Sequence, residues 1–412
     1  MWKRFIVTDL AGKIIAIFQN VFLGIYFLKI SQGNIVDVSI YYITLYLTYP
    51  IFFYLVNSLK KMNLMNLFRS GLFINFIKCI ILLMVGEKIV KYIVLFGILN
   101  SLGDAFYYYS QQILIKRLNS ENNFKRYFTI NDILKSALGI IIPIMCGYCI
   151  TNGSYSIVFI ILSLCAFLSL LNSFTIKGHN LEHQKIDVKC FIDKIKESNQ
   201  TQIMKILSIK TFLRGISSYG VLSTLITIIT FLIVKNEFSL GNINSFITII
   251  SMVIIYILGK YVSKKSFSKS FIPIAISQSI MVLILTFSMI FGDINIYLNN
   301  SVTLGYLLIL IYNIINGICN PIFEYANSII YFECMAKQKI EEKDEPNYTF
   351  FFETILNISR AVGYVVLIFV SKIGFNFNII AILIVGFTFM YVLFSYLLKE
   401  IDQKYLLENE IC

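Results

Sequence analysis

Histidine is nearly absent from this sequence, because the chain of 412 residues has only two, His179 and His183, and both lie in a polar central segment. Charged residues make up only 14% of the chain, and the apolar segments contain no paired acid motif. An enzyme working inside a membrane would need metal ligands or such a reactive pair. The sequence therefore argues against an enzyme, and we expect no catalytic residue, no metal site and no cofactor.

A nucleotide-binding P-loop and a cleavable signal peptide are also missing. The first apolar segment follows Lys3 and Arg4, is long enough to cross a membrane, and has no small-residue cleavage site. The eight cysteines include a Cys146-Gly-Tyr-Cys149 motif, but it lies in an apolar segment without a second pair. We expect these cysteines to serve packing, and any transport to draw on an ion gradient rather than on ATP.

Apolar residues dominate what is present, at 57% of the chain, with a mean hydropathy of +0.76. A helix needs about 20 apolar residues to cross a hydrocarbon core of about 30 Å. Segments of that length recur along the chain, at about 13–30, 36–57, 66–86, 90–115, 128–150, 155–175, 206–234, 242–262, 271–291, 303–331, 349–372 and 378–398. The sequence predicts an all-α integral membrane protein with twelve transmembrane helices.

The net charge of +12 is a topology signal rather than a sign of a nucleic-acid partner, and we expect none. With the N-terminus inside, the opposite-side segments hold few basic residues, namely Lys29, Lys88, Lys91, Lys235 and Lys372. This asymmetry places both termini in the cytoplasm of a cell that we expect to be bacterial. The predicted organisation is an N-terminal six-helix half (1–175), a cytoplasmic linker (176–204) that forms a surface amphipathic helix, and a C-terminal six-helix half (205–412).

Two of the predicted helices have a polar stripe on one face. In the fourth, the spacings of four, three and four residues align Asn100, Asp104, Tyr107 and Gln111. The tenth repeats the pattern about 216 positions later with Asn313, Asn316, Asn320, Glu324 and Asn327. Two such stripes in two halves predict a shared central cavity, to which we also assign Gln19 and Asn20 of the first helix.

Charges near the middle of a membrane helix are costly, so each is a candidate for function. Asp104 and Glu324 are the first candidates for proton coupling, and the alternative is that each is a structural acid paired with a buried cation. The eleventh helix adds a stripe of Glu353, Asn357, Arg360 and Tyr364, with Glu353 a third coupling candidate. Arg214, Asn357 and Arg360 are cavity candidates, whereas Lys13 and Lys210 are expected to snorkel toward the cytoplasm.

Six helices, a cytoplasmic linker and six helices resemble the major facilitator superfamily over nearly the whole chain. The loop motif of that family is degenerate here, since FYLVNSLKKM has Asn57 in place of the aspartate and GKYVSKKSF has Ser263 in place of the acid. The resemblance implies a gating role for this loop and its copy, with the candidates Asn57, Lys60, Lys61, Gly259, Ser263 and Lys264.

The fifth helix contains GIIIPIMCG, in which Gly139, Pro143 and Gly147 are similar to the Gly/Pro pattern of antiporters in this superfamily. A packing bend explains the same residues equally well. The resemblance implies a monomeric secondary transporter that exports a small lipophilic or cationic molecule in exchange for protons. Proton-coupled uptake of a nutrient and a transport-inactive sensor with this fold are the alternatives.

Overall fold

The computed structural model describes residues 2–58, 63–118, 121–176, 186–197, 201–217, 220–261, 302–337, 344–373 and 377–401, with positions 275, 276, 279, 280 and 283. These residues form helices and no strands. In the described part of the chain, seven helices are long and apolar enough to cross a membrane. The ninth predicted span, 271–291, lies almost wholly outside the described residues.

Two compact units make up the chain, Met1–Ile186 with Asn236–Ser245, and Asp187–Lys235 with Phe246–Cys412. Unit 1 contains α1 (Trp2–Phe18), α2 (Gly24–Ile30), α3 (Ile35–Ser58), α4 (Leu64–Val85), α5 (Ile93–Leu118), α6 (Glu121–Asn152) and α7 (Tyr155–Ser173). Unit 2 contains α8 (Val188–Glu197), α9 (Thr201–Ser217), α10 (Val221–Val234), α12 (Val302–Lys337), α13 (Glu345–Ile373) and α14 (Phe377–Ile401). Helix α11 (Glu237–Tyr261) begins in unit 1 and continues in unit 2.

In unit 1, α5 packs against α3 and α4, and α7 packs against α1 and α4. Helix α4 begins where the Asn63 side chain accepts a hydrogen bond from the backbone of Met65 at 2.9 Å, and it ends at Gly86, whose φ of +53° suits glycine. Between α1 and α2, residues Gln19–Leu23 form one turn of π-helix. Such turns interrupt α-helices at functional sites more often than elsewhere.

The first transmembrane helix begins earlier than predicted, at Arg4 instead of about residue 13. The predicted span began at about Lys13 and left Asp9 outside, but Asp9 and Lys13 form an ion pair of 2.8 Å within the helix. Pairing lowers the cost of placing both charges inside a helix bundle. Helix α11 similarly begins at Glu237 rather than about residue 242, and the Glu237 carboxylate pairs with Lys29.

In unit 2, α9 packs against α13 and α14. The linker helix α8 was expected to lie on the membrane surface, but its apolar face packs against protein instead. Phe191 is 1% exposed and meets the ring of Tyr348 edge-on, and Lys194 pairs with Asp344 at 2.7 Å. The aromatic side chains at the start of α13 therefore bury this face of α8.

Candidate functional site

An ion pair joins α4 and α5 in unit 1. Lys78 Nζ lies 3.2 Å from Asp104 Oδ1, and the Lys78 side chain is 2% exposed while that of Asp104 is 20% exposed. Lys78 also donates to Asn100 Oδ1. Asp104 is thus paired with a buried cation, as the interpretation of Asp104 as a structural acid requires.

Asn100 connects this pair to two other helices. Its Oδ1 accepts a hydrogen bond from Gln19 Nε2 at 3.0 Å, and its Nδ2 donates to the hydroxyl of Tyr41 at 2.6 Å. Asn100 and Tyr41 are both 1% exposed. Gln19 belongs to the π-helical turn of the first span. Asn100 therefore connects the Lys78–Asp104 pair to this turn through side-chain hydrogen bonds.

Glycine at the α4–α5 contact explains how Lys78 reaches Asp104. A Cβ on Gly71 would lie 2.6 Å from the backbone nitrogen of Tyr107, so the two helices approach at backbone distance. One turn further, a Cβ on Gly103 would lie 2.8 Å from Ile74 and 3.4 Å from Lys78 Nζ. The absence of a side chain at Gly103 leaves the space through which the ammonium group extends.

A second polar cluster of unit 1 surrounds Asp9, which is fully buried. Tyr107 donates to its Oδ1, Gln111 Nε2 donates to the same oxygen at 2.6 Å, and Lys13 pairs with its Oδ2. Tyr107 and Gln111 were assigned to the cavity with Asp104, and the structure places both against Asp9. Lys13 also donates to Asn131 at 2.5 Å and is 12% exposed, so it is held inside the unit rather than snorkelling.

Unit 2 contains a comparable ion pair between α9 and α12. Arg214 Nη2 lies 2.6 Å from Glu324 Oε2, and the two side chains are 19% and 20% exposed. One turn before Arg214, Lys210 donates to Asn327 Oδ1 at 2.7 Å and is only 2% exposed. The expectation that Lys210 snorkels is therefore wrong, because Asn327 offers its ammonium group an acceptor inside the helix bundle.

Asn357 links the charges of the stripe on α13. It donates to Glu353 Oε2 at 3.4 Å and accepts from Arg360 Nη1 at 3.3 Å. One turn beyond Arg360, the hydroxyl of Tyr364 lies 2.5 Å from that of Thr224. Glu353, Asn357 and Arg360 thus form a connected polar row, and Tyr364 contacts α10.

The remaining cavity candidates differ in burial. Asn313 is 6% exposed and donates to Thr230 at 3.4 Å, Asn316 and Asn320 are half-buried, and Asn20 is exposed. No group of three or more His, Cys, Asp or Glu side chains within the described ranges could hold a metal ion.

Four of the six predicted gating residues lie outside the residues that the structure describes. Lys60, Lys61, Ser263 and Lys264 are not described, and Gly259 lies near the end of α11. Asn57 is buried, donates to the Tyr109 hydroxyl at 2.7 Å and accepts from the backbone nitrogen of Ile186 at 2.8 Å. These hydrogen bonds connect the end of α3 to α5 and to Ile186, the last residue of the first segment of unit 1.

The Gly/Pro pattern of α6 lies against the first turns of α11. A Cβ on Gly147 would lie 2.5 Å from the carbonyl oxygen of Glu237, and a Cβ on Gly241 would lie 2.2 Å from that of Pro143. Gly139 lies two turns before Gly147 in the same uninterrupted helix. Close helix contact accounts for glycine at position 147, as the packing interpretation requires.

Sequence reasoning missed Lys78 and Asp9. Lys78 is the one charge in the apolar run LFINFIKCIILLMV, and an isolated charge in such a run is a signal of function by itself. Asp9 fell outside the predicted first span, so its acidic group was not considered. A search for every charge within reach of an apolar segment would have found both.

Comparison with known proteins gives a fold but few relatives in sequence. No family model matches. An uncharacterised protein of Bacillus subtilis (strain 168), YqgE, is 25% identical over 299 residues, which cover 71% of this chain and 68% of that protein.

Solved structures are similar over nearly the whole chain. A D-xylose-proton symporter has a TM-score of 0.67 at 10% identity, covering 96% of this chain and 97% of that one. A bacterial metal transporter has 0.61 at 11%, covering 97% and 98%, and an inward-facing bacterial homologue of the iron transporter ferroportin has 0.59 at 12%, covering 98% of both. Each of these is described as a transporter rather than an enzyme, and at these identities the likeness shows the fold alone.

Proposed function

We propose that this chain, a multi-pass membrane protein with the major facilitator fold, is a secondary active transporter that works by alternating access. The observation that carries the proposal is the presence of two ion pairs between apolar helices, Lys78–Asp104 and Arg214–Glu324, one in each unit and both at least partly buried. Buried charge is costly in a membrane protein and is retained mainly where it serves function. The similarity in fold to three transporters supports the same conclusion.

We assign proton coupling first to Asp104, because its partner Lys78 also bonds to Asn100, which bonds in turn to Gln19 of the first span. An arginine stays charged. The Arg214–Glu324 pair therefore keeps a fixed cation, and Glu324 and Glu353 become the second and third candidates. A proton that binds Asp104 neutralises the carboxylate and removes its attraction for Lys78.

The proposed coupling step passes from this pair to the first span. Release of Lys78 from Asp104 changes the bonds that Asn100 makes with Lys78 and Gln19. Gln19 lies in the π-helical turn, where the backbone hydrogen bonds already depart from the α-helical pattern. Proton binding can thus shift the balance between two arrangements of the first span, which is the requirement for coupling.

Export by proton antiport is the direction that we propose. The α6 residues Gly139, Pro143 and Gly147 support it through their resemblance to the antiporter pattern, although the close α6–α11 contact explains Gly147 by packing as well. Uptake by proton symport is the second candidate, favoured by the similarity to a D-xylose-proton symporter. A carboxyl that couples one direction can couple the other.

A small, partly lipophilic substrate is supported by the tyrosines of α3. The rings of Tyr42 and Tyr46 stack with centroids 6.0 Å apart, both are half-buried, and Tyr41 of the same helix contacts Asn100. The sequence favours a lipophilic or a cationic molecule. We further propose a monomer in the bacterial plasma membrane with both termini in the cytoplasm, since the basic residues concentrate in the segments assigned to that side.

Flux measurements in proteoliposomes test this function. Wild-type protein, Asp104→Asn and Glu324→Gln are reconstituted, and the movement of lipophilic ions and common nutrients is followed with and without an imposed proton gradient. We expect gradient-driven movement that Asp104→Asn abolishes and Glu324→Gln only alters. The direction of movement separates export from uptake. The absence of gradient-dependent flux for every compound would favour the transport-inactive sensor.

A further inference from the structure

We propose that the hydrogen bond between Asn57 and the linker amide of Ile186 is a latch, which opens and closes as the protein changes between its two arrangements. The inference rests on the proposed transport function and names a contact that breaks during each cycle. The resemblance in sequence implies gating by the loop that follows Asn57. The latch instead joins Asn57 to the linker and needs no other residue of that loop.

The division between the two units falls inside the linker, between Ile186 and Asp187. These two residues donate their backbone N–H groups to asparagine side chains of different units. The nitrogen of Ile186 lies 2.8 Å from Oδ1 of Asn57, at the end of α3 in unit 1. The nitrogen of Asp187 lies 2.7 Å from Oδ1 of Asn347, near the start of α13 in unit 2. Two consecutive amides are thus bound, one to each unit.

The short connection between the two amides limits the movement that is possible while both bonds stay closed. Consecutive Cα atoms are about 3.8 Å apart across a trans peptide, so the chain has no slack between its two anchors. Alternating access moves one half of a transporter against the other. A movement that draws the end of α3 away from the start of α13 must therefore open one of the two hydrogen bonds.

The linker is fastened to unit 2 by more than the bond to Asn347. Helix α8, which follows directly, adds two contacts with the start of α13. Phe191 is 1% exposed and meets the ring of Tyr348 edge-on, and Lys194 pairs with Asp344 at 2.7 Å. An aromatic contact and an ion pair therefore support the anchor on this side.

The anchor on the side of unit 1 is simpler. In the described part of the chain, the polar contact of Ile186 with unit 1 is one hydrogen bond between two neutral groups. Asn57 and Ile186 are 3% and 2% exposed, so the bond is shielded from water while it is closed. We assign the opening to this bond, because it has less support than the attachment of α8 to unit 2.

Asn57 also connects the latch to the helix that carries the proposed coupling residue. Its Nδ2 donates to the hydroxyl of Tyr109 at 2.7 Å, and Tyr109 lies on α5, as Asp104 does. Asn57 therefore contacts the linker through one atom of its amide group and α5 through the other. A shift of α5 that accompanies proton binding at Asp104 reaches the latch through this side chain.

Residue-resolved hydrogen exchange of the full chain in detergent tests whether the latch opens. We expect the amide of Ile186 to be protected at least about tenfold less than that of Asp187, because only the bond to unit 1 opens. Asn57→Ala should remove the remaining protection of Ile186, whereas Asn57→Asp keeps an acceptor and should retain it. Tyr109→Phe is the matched control and should leave both amides unchanged, because it removes only the hydroxyl to which Asn57 donates.

A reversible cross-link tests whether transport requires the opening. Asn57→Cys/Ile186→Cys is linked in proteoliposomes with a short bifunctional methanethiosulfonate reagent, and mass spectrometry confirms the link. We expect the link to abolish proton-driven flux and reduction to restore it. The same link in Asn347→Cys/Asp187→Cys is the matched control and should leave flux unchanged, because that contact stays closed. Wild-type protein treated with the reagent controls for the native cysteines.

Equal protection of the two amides, or undiminished flux in the linked Asn57→Cys/Ile186→Cys variant, would each overturn the latch. A variant that cannot be linked leaves the decision to the hydrogen exchange of Ile186 and Asp187. The proposed transport function is judged by flux through the wild-type protein before any cross-linking. Absence of that flux rejects the function, whereas flux that persists through the cross-link retains the function and rejects the latch.

Discussion

Removal of the Lys78 ammonium group by Lys78→Met should destabilise unit 1 strongly, because Asp104 would lose its cation. Breaking a buried ion pair from one side costs about 3 to 5 kcal/mol. We therefore expect a loss of about 4 kcal/mol.

A thiol-reactive fluorogenic dye suits the measurement. The free cysteines Cys79, Cys146, Cys319 and Cys334 are buried and become reactive on unfolding. For a cooperative unit of about 200 residues, a loss of about 4 kcal/mol corresponds to a midpoint lowered by roughly 8 °C or more. Lys135→Met is the control, since that lysine is exposed on α6.

The double variant Lys78→Met/Asp104→Asn tests whether Lys78 and Asp104 stabilise the protein through their interaction or independently of each other. It removes both charges together, so no unpaired charge remains, and it should regain at least half of the midpoint lost in Lys78→Met. Singles that simply add in the double variant would show that the two side chains do not interact energetically, and would refute the assignment of Lys78 as the partner of Asp104.

Three further predictions concern packing and the linker. Gly215→Ala would place a Cβ 1.7 Å from Ser359 Oγ and should cost about 1 to 3 kcal/mol in the dye assay. Gly386→Ala is the control and should be nearly neutral, because its added Cβ meets nothing within 4 Å. Equal midpoints for the two variants would contradict the close α9–α13 contact. Tyr41→Phe leaves the buried Asn100 amide without its 2.6 Å acceptor and should cost about 1 to 3 kcal/mol, against no loss for the exposed Tyr92→Phe. Phe191→Ala should release α8 from α13, which would be measured as faster hydrogen exchange of the backbone amides of residues 188–197. Lys189→Ala, at an exposed residue of the same helix, should leave the exchange rates unchanged. Unchanged exchange in Phe191→Ala would contradict the packing of α8 against α13.

Much of the fold followed from the sequence. Long apolar segments can cross a membrane only as helices, and their order with a central linker predicted the major facilitator fold, which the structural similarity confirms. Helix starts were harder to predict where charges pair. Asp9 with Lys13 and Lys29 with Glu237 each extend a helix into sequence that hydropathy alone assigns to the surface.

The site was predictable as positions on one helix but not as contacts between helices. The spacing of Asn100 and Asp104 placed them on one face, and both contact Lys78. The same stripe also contains Tyr107 and Gln111, which contact Asp9 instead. Periodicity gives no information on the register between two helices, which here depends on the backbone approach at Gly71 and Gly103.

The central claim is that Asp104 couples proton movement to substrate movement, and substrate exchange tests it most directly. Once a transported compound is known, proteoliposomes containing wild-type protein or Asp104→Asn are compared in exchange of labelled for unlabelled compound and in transport driven by a proton gradient. The account predicts that Asp104→Asn keeps exchange and loses the gradient-driven component, because the site remains while the proton acceptor is gone. Gradient-driven transport at the wild-type rate in Asp104→Asn would contradict it, and would leave the Lys78–Asp104 pair a structural role only.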